Sequence, residues 1–320
     1  MNHQQAWAVV LAGGDGTRLR PLTRLIAGED RPKQFCRFFG GNTLLAQTRS
    51  RIARAISPER TVFTVVKAHE KFYADELADV KPSRMVVQPS NKGTTAAIIY
   101  SLLRILDLAD NPIVGFFPTD HHYSREKPFV ASVRLALKVA ASSPETVVLL
   151  GASAERAEVE YGWIEPGENL ACRFTNALLG VSRFWEKPAA DVARTLLNRG
   201  CLWNTFVMIG RASTFLEILR AAVPRDLRTL VAGGRAFRVT LAPGCAEEAY
   251  AALTPSDFSK RVLSASTGRL AVLPLGKVGW SDLGTPERLR FAMARSGLEP
   301  DWQGFAHHEN LRVLAEASVS

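Results

Sequence analysis

Three glycines, Gly13, Gly14 and Gly16, follow an apolar run that begins at Trp7, and Arg18 comes directly after them. A second basic centre, Arg31-Pro32-Lys33, lies close behind. Glycine has no Cβ, so a turn of this kind can take positive φ and present its N–H groups to an anion at close range. Arg18 and Lys33 add full positive charges. Together they have the chemistry to hold a polyphosphate such as a nucleoside triphosphate carries. Two better-known phosphate loops fit less well. A dinucleotide fingerprint needs a third glycine where Leu19 stands, and a Walker A loop needs G-x-x-x-x-G-K-[ST], which is missing at this position. An ordinary tight turn after a first strand would use the same glycines. Arg18, Pro21 and Pro32-Lys33 at their spacing are what set this stretch apart.

The pattern L-A-G-G-x-G-T-R-L-x-P-L-T, followed by R-P-K-Q-F, resembles the signature of the sugar-1-phosphate nucleotidyltransferases. Arg31-Pro32-Lys33-Gln34-Phe35 is similar in particular to the mannose-1-phosphate guanylyltransferase branch. Further segments are similar to that branch in the same order: Gln88-Pro89-Ser90-Asn91-Lys92-Gly93-Thr94, Phe117-Pro118-Thr119-Asp120-His121 and Arg183-Phe184-Trp185-Glu186-Lys187-Pro188. Leu202-Trp203-Asn204 and Gly279-Trp280-Ser281-Asp282-Leu283-Gly284-Thr285 complete the set. The matches extend over most of the chain.

The resemblance implies a reaction in which a sugar-1-phosphate oxygen attacks the α-phosphorus of a nucleoside triphosphate and expels pyrophosphate. The nucleophile is already an anion, so no general base is required, and catalysis is positioning plus electrostatics. On that resemblance Arg18, Lys33 and Asp120 are the catalytic residues, with Arg18 at the triphosphate and departing pyrophosphate and Lys33 near the α-phosphate. Leu11, Ala12, Gly13, Gly14, Gly16, Thr17, Arg18, Lys33, Gln88, Gly93 and Thr94 are expected to bind the nucleotide, Gln88 and Gly93 at its base. Gly162, Glu186, Lys187 and Asn204 are expected at the sugar phosphate: Glu186 and Asn204 on hydroxyls, Lys187 on the phosphate. Mg²⁺ is the expected cofactor, held by Asp120 and Asp282. This ion favours one or two carboxylates together with phosphate oxygens and water, so aspartates far apart in sequence suit it. His121-His122 lacks an evident third ligand for a transition metal, and His121 reads as a supporting residue.

The implied substrates are GTP and mannose 1-phosphate. Glucose or heptose 1-phosphate, dTTP or UTP are the alternatives within the class, and a non-catalytic nucleotide-sugar-binding homologue is the alternative outside it. Two departures bear on selectivity. Thr95-Ala96 stands where many relatives have Ala-Pro, and Glu160 precedes Tyr161-Gly162 where many carry a small residue. For Trp163, Trp185 and Trp203, packing in a core is the stronger reading than stacking on a sugar.

Alternating strands and helices must position these groups, which gives an α/β fold: a doubly wound, mostly parallel, Rossmann-like sheet with a smaller mixed α/β part for the sugar. Strands are expected at Trp7–Ala12, Thr61–Val66, Met85–Val87, Pro112–Phe117 and Thr146–Gly151. Helices are expected at Asn42–Ile56 with Asn42 as N-cap, Glu70–Leu77, Gly93–Leu108 and Phe129–Ala141. The second half predicts strands at Tyr161–Pro166, Val181–Trp185, Phe206–Ile209 and Leu270–Leu275, and helices at Ala190–Arg199 and Ala212–Ala222. A last helix starts at the hydroxyl cap Thr285, with Pro286 at its first position, and runs to about Ser296. Residues 1–296 then form the catalytic domain, 1–152 mainly the nucleotide half and 153–296 mainly the sugar half, with 297–320 as a tail in which Glu309–Glu316 has helical character.

Composition agrees with a globular enzyme: 47% of residues are hydrophobic and 22% charged. No apolar stretch has the length of a membrane span, and the N-terminus lacks a signal peptide's pattern, so no membrane association and a cytoplasmic location are expected. The four cysteines, Cys36, Cys172, Cys201 and Cys245, are widely spaced, which suits reduced thiols. A net charge of +9 invites a nucleic-acid reading, but the arginines are scattered along the helices and no nucleic-acid motif is present. No nucleic-acid partner is expected, and a homodimer is left open. Surplus positive charge suits two anionic substrates.

Overall fold

Alternate residues of the first strand face opposite layers. Ala8 and Val10 belong to one buried apolar cluster and Val9 to another. Strand β1 (Ala6–Leu11) is therefore covered on both sides, as its unbroken apolar run requires. The computed structural model describes residues 6–238 and 245–298 of the chain. Helices α1 (Arg20–Ala27) and α2 (Leu44–Ala53) follow β1, then β2 (Thr61–Val66), the short α3 (Glu70–Tyr73) and β3 (Met85–Gln88). Helix α4 (Gly93–Leu108) leads to β4 (Ile113–Pro118), the two-residue β5 (His122–Tyr123), α5 (Glu126–Ser142) and β6 (Val147–Ser153). A hairpin of β7 (Gly162–Asn169) and β8 (Leu179–Glu186) precedes α6 (Ala190–Asn198), β9 (Leu202–Arg211), α7 (Ala212–Ala222) and α8 (Pro224–Arg238). After α9 (Cys245–Ala251) a π turn at Ser259–Leu263 precedes β10 (Leu270–Pro274), the two-residue β11 (Trp280–Ser281) and α10 (Pro286–Arg295).

Nine strands form one sheet in the order β3-β2-β1-β4-β9-β6-β10-β8-β7. Strands β3, β2, β1 and β4 pair in parallel, as do β6 and β10. Strand β9 runs antiparallel between β4 and β6, and β8 runs antiparallel to β10 and β7. On one face α2 and α5 supply Leu45, Ile52, Phe129 and Val133 to the core; on the other α4 and α7 supply Ile99, Leu102, Phe215 and Ile218. This is the doubly wound α/β arrangement expected from the alternation of elements. The sheet is shared between the two sequence halves, because β9 from the second half lies between β4 and β6 of the first, and β10 pairs with β6 on its other edge.

Several local expectations shift. The cap of α2 is Thr43, whose hydroxyl accepts from the Ala46 N–H at 3.0 Å, so the helix begins after Asn42 and ends at Ala53. Helix α3 stops at Tyr73 and the segment to Leu77 continues in turns. Strand β9 begins at Leu202, four residues before the expected start, because Trp203 and Asn204 pair with Ala152 and Gly151. Helices α1 and α8 were not evident in the apolar pattern. The Thr285 cap is as expected, with its hydroxyl accepting from Arg288 N–H at 3.2 Å, and α10 closes with Gly297 N–H on the Ala294 carbonyl. Among the described residues no helix is long and apolar enough to cross a membrane. Cys36, Cys172 and Cys201 carry free thiols. The expected Glu309–Glu316 helix and the Cys245 side chain lie outside the described residues.

Candidate active site

A cleft of about 570 Å³ opens at the carboxyl ends of β1, β3 and β4, the position that this sheet topology favours for a ligand. Its lining draws on both sequence halves. Of the expected residues, Leu11, Gly13, Gly14, Gln88, Gly93, Thr94, Asp120, Gly162, Glu186, Asn204 and Asp282 all line it. Ala12, Gly16, Thr17, Arg18, Lys33 and Lys187 are set back from the cleft lining.

The glycine loop is held from below. Ala12 is fully buried, its N–H donating to the Thr64 carbonyl at 2.8 Å. Gln34, in the Arg31–Phe35 segment, is buried and donates its Nε2 hydrogens to the carbonyls of Ala12 and Gly14 at 3.0 and 2.7 Å. Sequence reasoning passed over Gln34; a buried amide beside Phe35 was the available signal. Asp15 is tied outward, to Asn91 Nδ2 at 2.8 Å and His69 Nε2 at 3.2 Å. Of the three glycines expected to take positive φ, only Gly16 does. Gly13 is tight for a different reason, since a Cβ there would lie 2.6 Å from Gln88 Nε2 and displace that amide. Gly16 and Thr17 open a short 3₁₀ turn that carries Arg18 to the rim, half exposed and ion-paired with Glu160 on the opposite wall. An exposed pair of this kind contributes at most about 1 kcal/mol, so Glu160 holds the arginine only weakly.

At one end of the cleft Gln88 sits at the end of β3, with its Oε1 accepting from the Tyr250 hydroxyl at 2.7 Å and its Nε2 directed to the Val65 carbonyl at 3.4 Å. The residues around Ser256 form a wall that no motif had announced. Ser256 N–H donates to the Lys92 carbonyl, Thr95 N–H to the Ser256 carbonyl, and Phe258 N–H to Thr94 Oγ1. Gly93 has φ +81°, and a Cβ on it would lie 2.3 Å from the Ser256 oxygen. The glycine expected to admit a base is where a neighbouring strap of the same chain comes close.

The centre is made by the two-stranded ladder of β5 and β11, in which Trp280 pairs with Tyr123 and Ser281 with His122. Asp120 precedes β5 and Asp282 follows β11, so this ladder brings together two aspartates distant in sequence. Lys33, nearly buried, donates from Nζ to the Asp282 carbonyl at 2.6 Å and lies 3.2 Å from Asp120 Oδ2. Burial acts to raise the Asp120 carboxyl, but Lys33 and then His121 hold it below the usual carboxylate range. Burial likewise opposes ionisation of Asp282, and Lys33 and Arg288 outweigh it. Both are carboxylates at neutral pH. Asp282 is also firmly oriented: Arg288 Nη1 lies 3.0 and 2.9 Å from its two oxygens, and Oδ1 accepts from Tyr161 Oη and Gly284 N–H, each at 2.9 Å. Arg288 is itself buried against the Tyr161 ring and Glu158. His121 lines the cleft and accepts at Nδ1 from the Trp280 indole N–H at 3.2 Å.

At the other end Gly162 and Glu186 face each other across the β7–β8 hairpin. Asn204 is turned inward by a bulge in β9, where the register against β6 shifts and Phe206 takes φ +59°. Thr205 Oγ1 fixes the bulge by donating to the Leu150 carbonyl at 2.6 Å, and Phe206 N–H donates to Asn204 Oδ1 at 3.0 Å. Burial and the neighbouring Asp257 push the Glu186 carboxyl up to about 7. Asp257 and Ser259 join this lining from the strap and were not anticipated. Lys187 is exposed beside the hairpin, its N–H on the Tyr161 carbonyl at 3.1 Å. Trp163 and Trp203 pack in a buried aromatic cluster with Tyr161, and Trp280 is the tryptophan that reaches the cleft.

Residues 7–296 match the Nucleotidyl transferase family. The xanthan biosynthesis protein XanB of Xanthomonas campestris pv. campestris (strain B100) is 30% identical, over 96% of this chain and 62% of its own length. Mannose-1-phosphate guanylyltransferase 2 of Escherichia coli O157:H7 is 28% identical, over 88% of this chain and 58% of its own. The chain thus spans about three fifths of the length of these curated relatives. A crystal structure described as mannose-1-phosphate geranyltransferase from Thermus thermophilus superposes with a TM-score of 0.73 at 30% identity, covering 88% of this chain and 76% of that one.

Proposed function

Since the chain belongs to the nucleotidyl transferase family, we propose that it transfers a guanylyl group from GTP to mannose 1-phosphate, releasing pyrophosphate and forming GDP-mannose. The observation that carries this reading is a continuous cleft in which a glycine-loop end, a charged centre and an end lined by Gly162, Glu186 and Asn204 follow one another. Gly13, Gly14 and Gln88 take the nucleotide; Gly162, Glu186 and Asn204 take the sugar. A phosphate oxygen of the sugar phosphate forms the new bond to the α-phosphorus as the bond from that phosphorus to the β-phosphate oxygen breaks. Lys33 balances charge on the transferring phosphoryl group, and Arg18, exchanging Glu160 for phosphate, steadies the departing pyrophosphate. Names of relatives that act on mannose 1-phosphate support the choice of sugar.

Asp120 and Asp282 offer hard oxygen donors from the same end of the β5–β11 ladder, both held ionised, which fits Mg²⁺ bound through carboxylates and substrate phosphates. Bound there, the ion would supply electrostatic screening between the two phosphates. Arg288 and Tyr161 keep Asp282 in place for that role. The reading is tested by incubating the protein with Mg²⁺, each nucleoside triphosphate and a panel of sugar 1-phosphates while measuring pyrophosphate. Release is expected to be highest with GTP and mannose 1-phosphate. Release with dTTP and glucose 1-phosphate instead would retain the reaction and replace the substrates; no release with any pair would overturn the reading.

A further inference from the structure

We propose that Tyr250 sets the base preference of the cleft by holding the Gln88 side-chain amide in one orientation. The inference rests on reading the cleft as a nucleoside triphosphate site, and extends it to the class of base.

A glutamine amide has a donating and an accepting end, and reversing it reverses what a ligand meets. Here the orientation follows from the neighbours. The Val65 carbonyl can only accept, so the atom turned to it is Nε2. Oε1 therefore faces Tyr250, whose hydroxyl must donate to it at 2.7 Å. The two restraints are unequal: the Val65 contact is 3.4 Å long, at the weak limit of a hydrogen bond, while the Tyr250 contact is short and buried. Tyr250 is fully buried, its ring against Tyr100, so its hydroxyl has little freedom to turn elsewhere. Nε2 lies over Gly13, the position where a side chain would collide with it and where a ligand resting on the loop would meet it.

A base seated there encounters an N–H donor. It gains by offering a ring carbonyl, as guanine does at O6 and uracil or thymine at O4. Adenine and cytosine present an exocyclic amino group at the same edge, which leaves two donors opposed. A site built to hydrogen-bond one partner discriminates strongly against an analogue that cannot reciprocate. Replacing the tyrosine by phenylalanine removes the donor to Oε1 while keeping the ring. Only the long Val65 contact then resists reversal of the amide, and amino-bearing bases gain an acceptor.

The experiment measures equilibrium binding of GTP, UTP, ATP and CTP to the full chain by calorimetry, and pyrophosphate release with the same four, for wild type and Tyr250→Phe. Wild type is expected to favour GTP and UTP over ATP and CTP, and Tyr250→Phe to narrow that ratio by up to about ten-fold, through Kd and KM more than kcat. An unchanged ratio in a folded variant overturns the proposal, because a tyrosine that merely packs would lower the melting temperature without altering base preference. A wild type that favours ATP or CTP overturns it too, while leaving the cleft a triphosphate site. Binding of none of the four overturns the site reading and this inference with it. Should Tyr250→Phe fail to fold, Gln88→Glu decides: with an acceptor in place of the amide nitrogen, the ratio is expected to shift toward ATP and CTP, and an unshifted ratio overturns the proposal.

Discussion

At the residue scale, the cleft separates its carboxyl groups by environment. Asp120 and Asp282 face Lys33 and stay ionised, whereas burial, and then the neighbouring Asp257, push Glu186 up to about 7. A folded carboxyl that retains its proton above the ordinary glutamate range contributes stability at low pH, and loses it as pH rises through about 7. The midpoint of urea unfolding is therefore expected to fall between about pH 5 and about pH 8, with Glu186→Gln flattening that dependence. An equally steep slope in the variant would assign it to other groups. The gathering of Lys33, Asp120, Gln88 and Glu186 about one cleft was legible in the sequence because each stands in a short motif. Their partners were not. Tyr250 and Asp257 are far away in sequence from Gln88 and Glu186, and Arg288, six residues beyond Asp282, shares no motif with it; no periodicity announces a tyrosine beneath a glutamine or an arginine that clamps an aspartate.

At the element scale, two residues of β5 and two of β11 determine how the aspartates meet. Gly279 enters this ladder at φ +61°, and a Cβ on it would lie 1.9 Å from Ser124 Oγ, on the residue whose N–H donates to the Gly279 carbonyl at 3.2 Å. Gly279→Ala is expected to cost about 1–2 kcal/mol of stability from the left-handed backbone. The loss of turnover should be larger than that cost implies, because the ladder spreads directly beside Asp120 and Asp282. Melting temperature and kcat measured together check this; a variant that melts earlier yet turns over normally would remove the ladder from the catalytic geometry. The long apolar strands and α4 were readable because burial on two faces enforces unbroken hydrophobic runs. The two-residue ladder, the π turn and the strap through Ser256 were not, since each is defined by what it packs against.

At the scale of the whole molecule, β9 lies between β4 and β6, so the halves divided at residues 152 and 153 share one sheet. Residues 1–152 alone would leave β4 and β6 without the strand that joins them. The described fold is expected to unfold in a single transition, with coincident changes in far- and near-ultraviolet circular dichroism and equal calorimetric and van't Hoff enthalpies. Two resolved transitions would show that the halves are independent after all. The bulge in β9 carries a further consequence. Asn204 stands on the same hydrogen-bonded strand as Met208, which is registered against Phe116 of β4. The span from Asp120, just beyond β4, to Asn204 is thereby set by ladder spacing within one sheet. The sheet works as a ruler: it holds the Asp120 and Asn204 ends of the cleft at one separation.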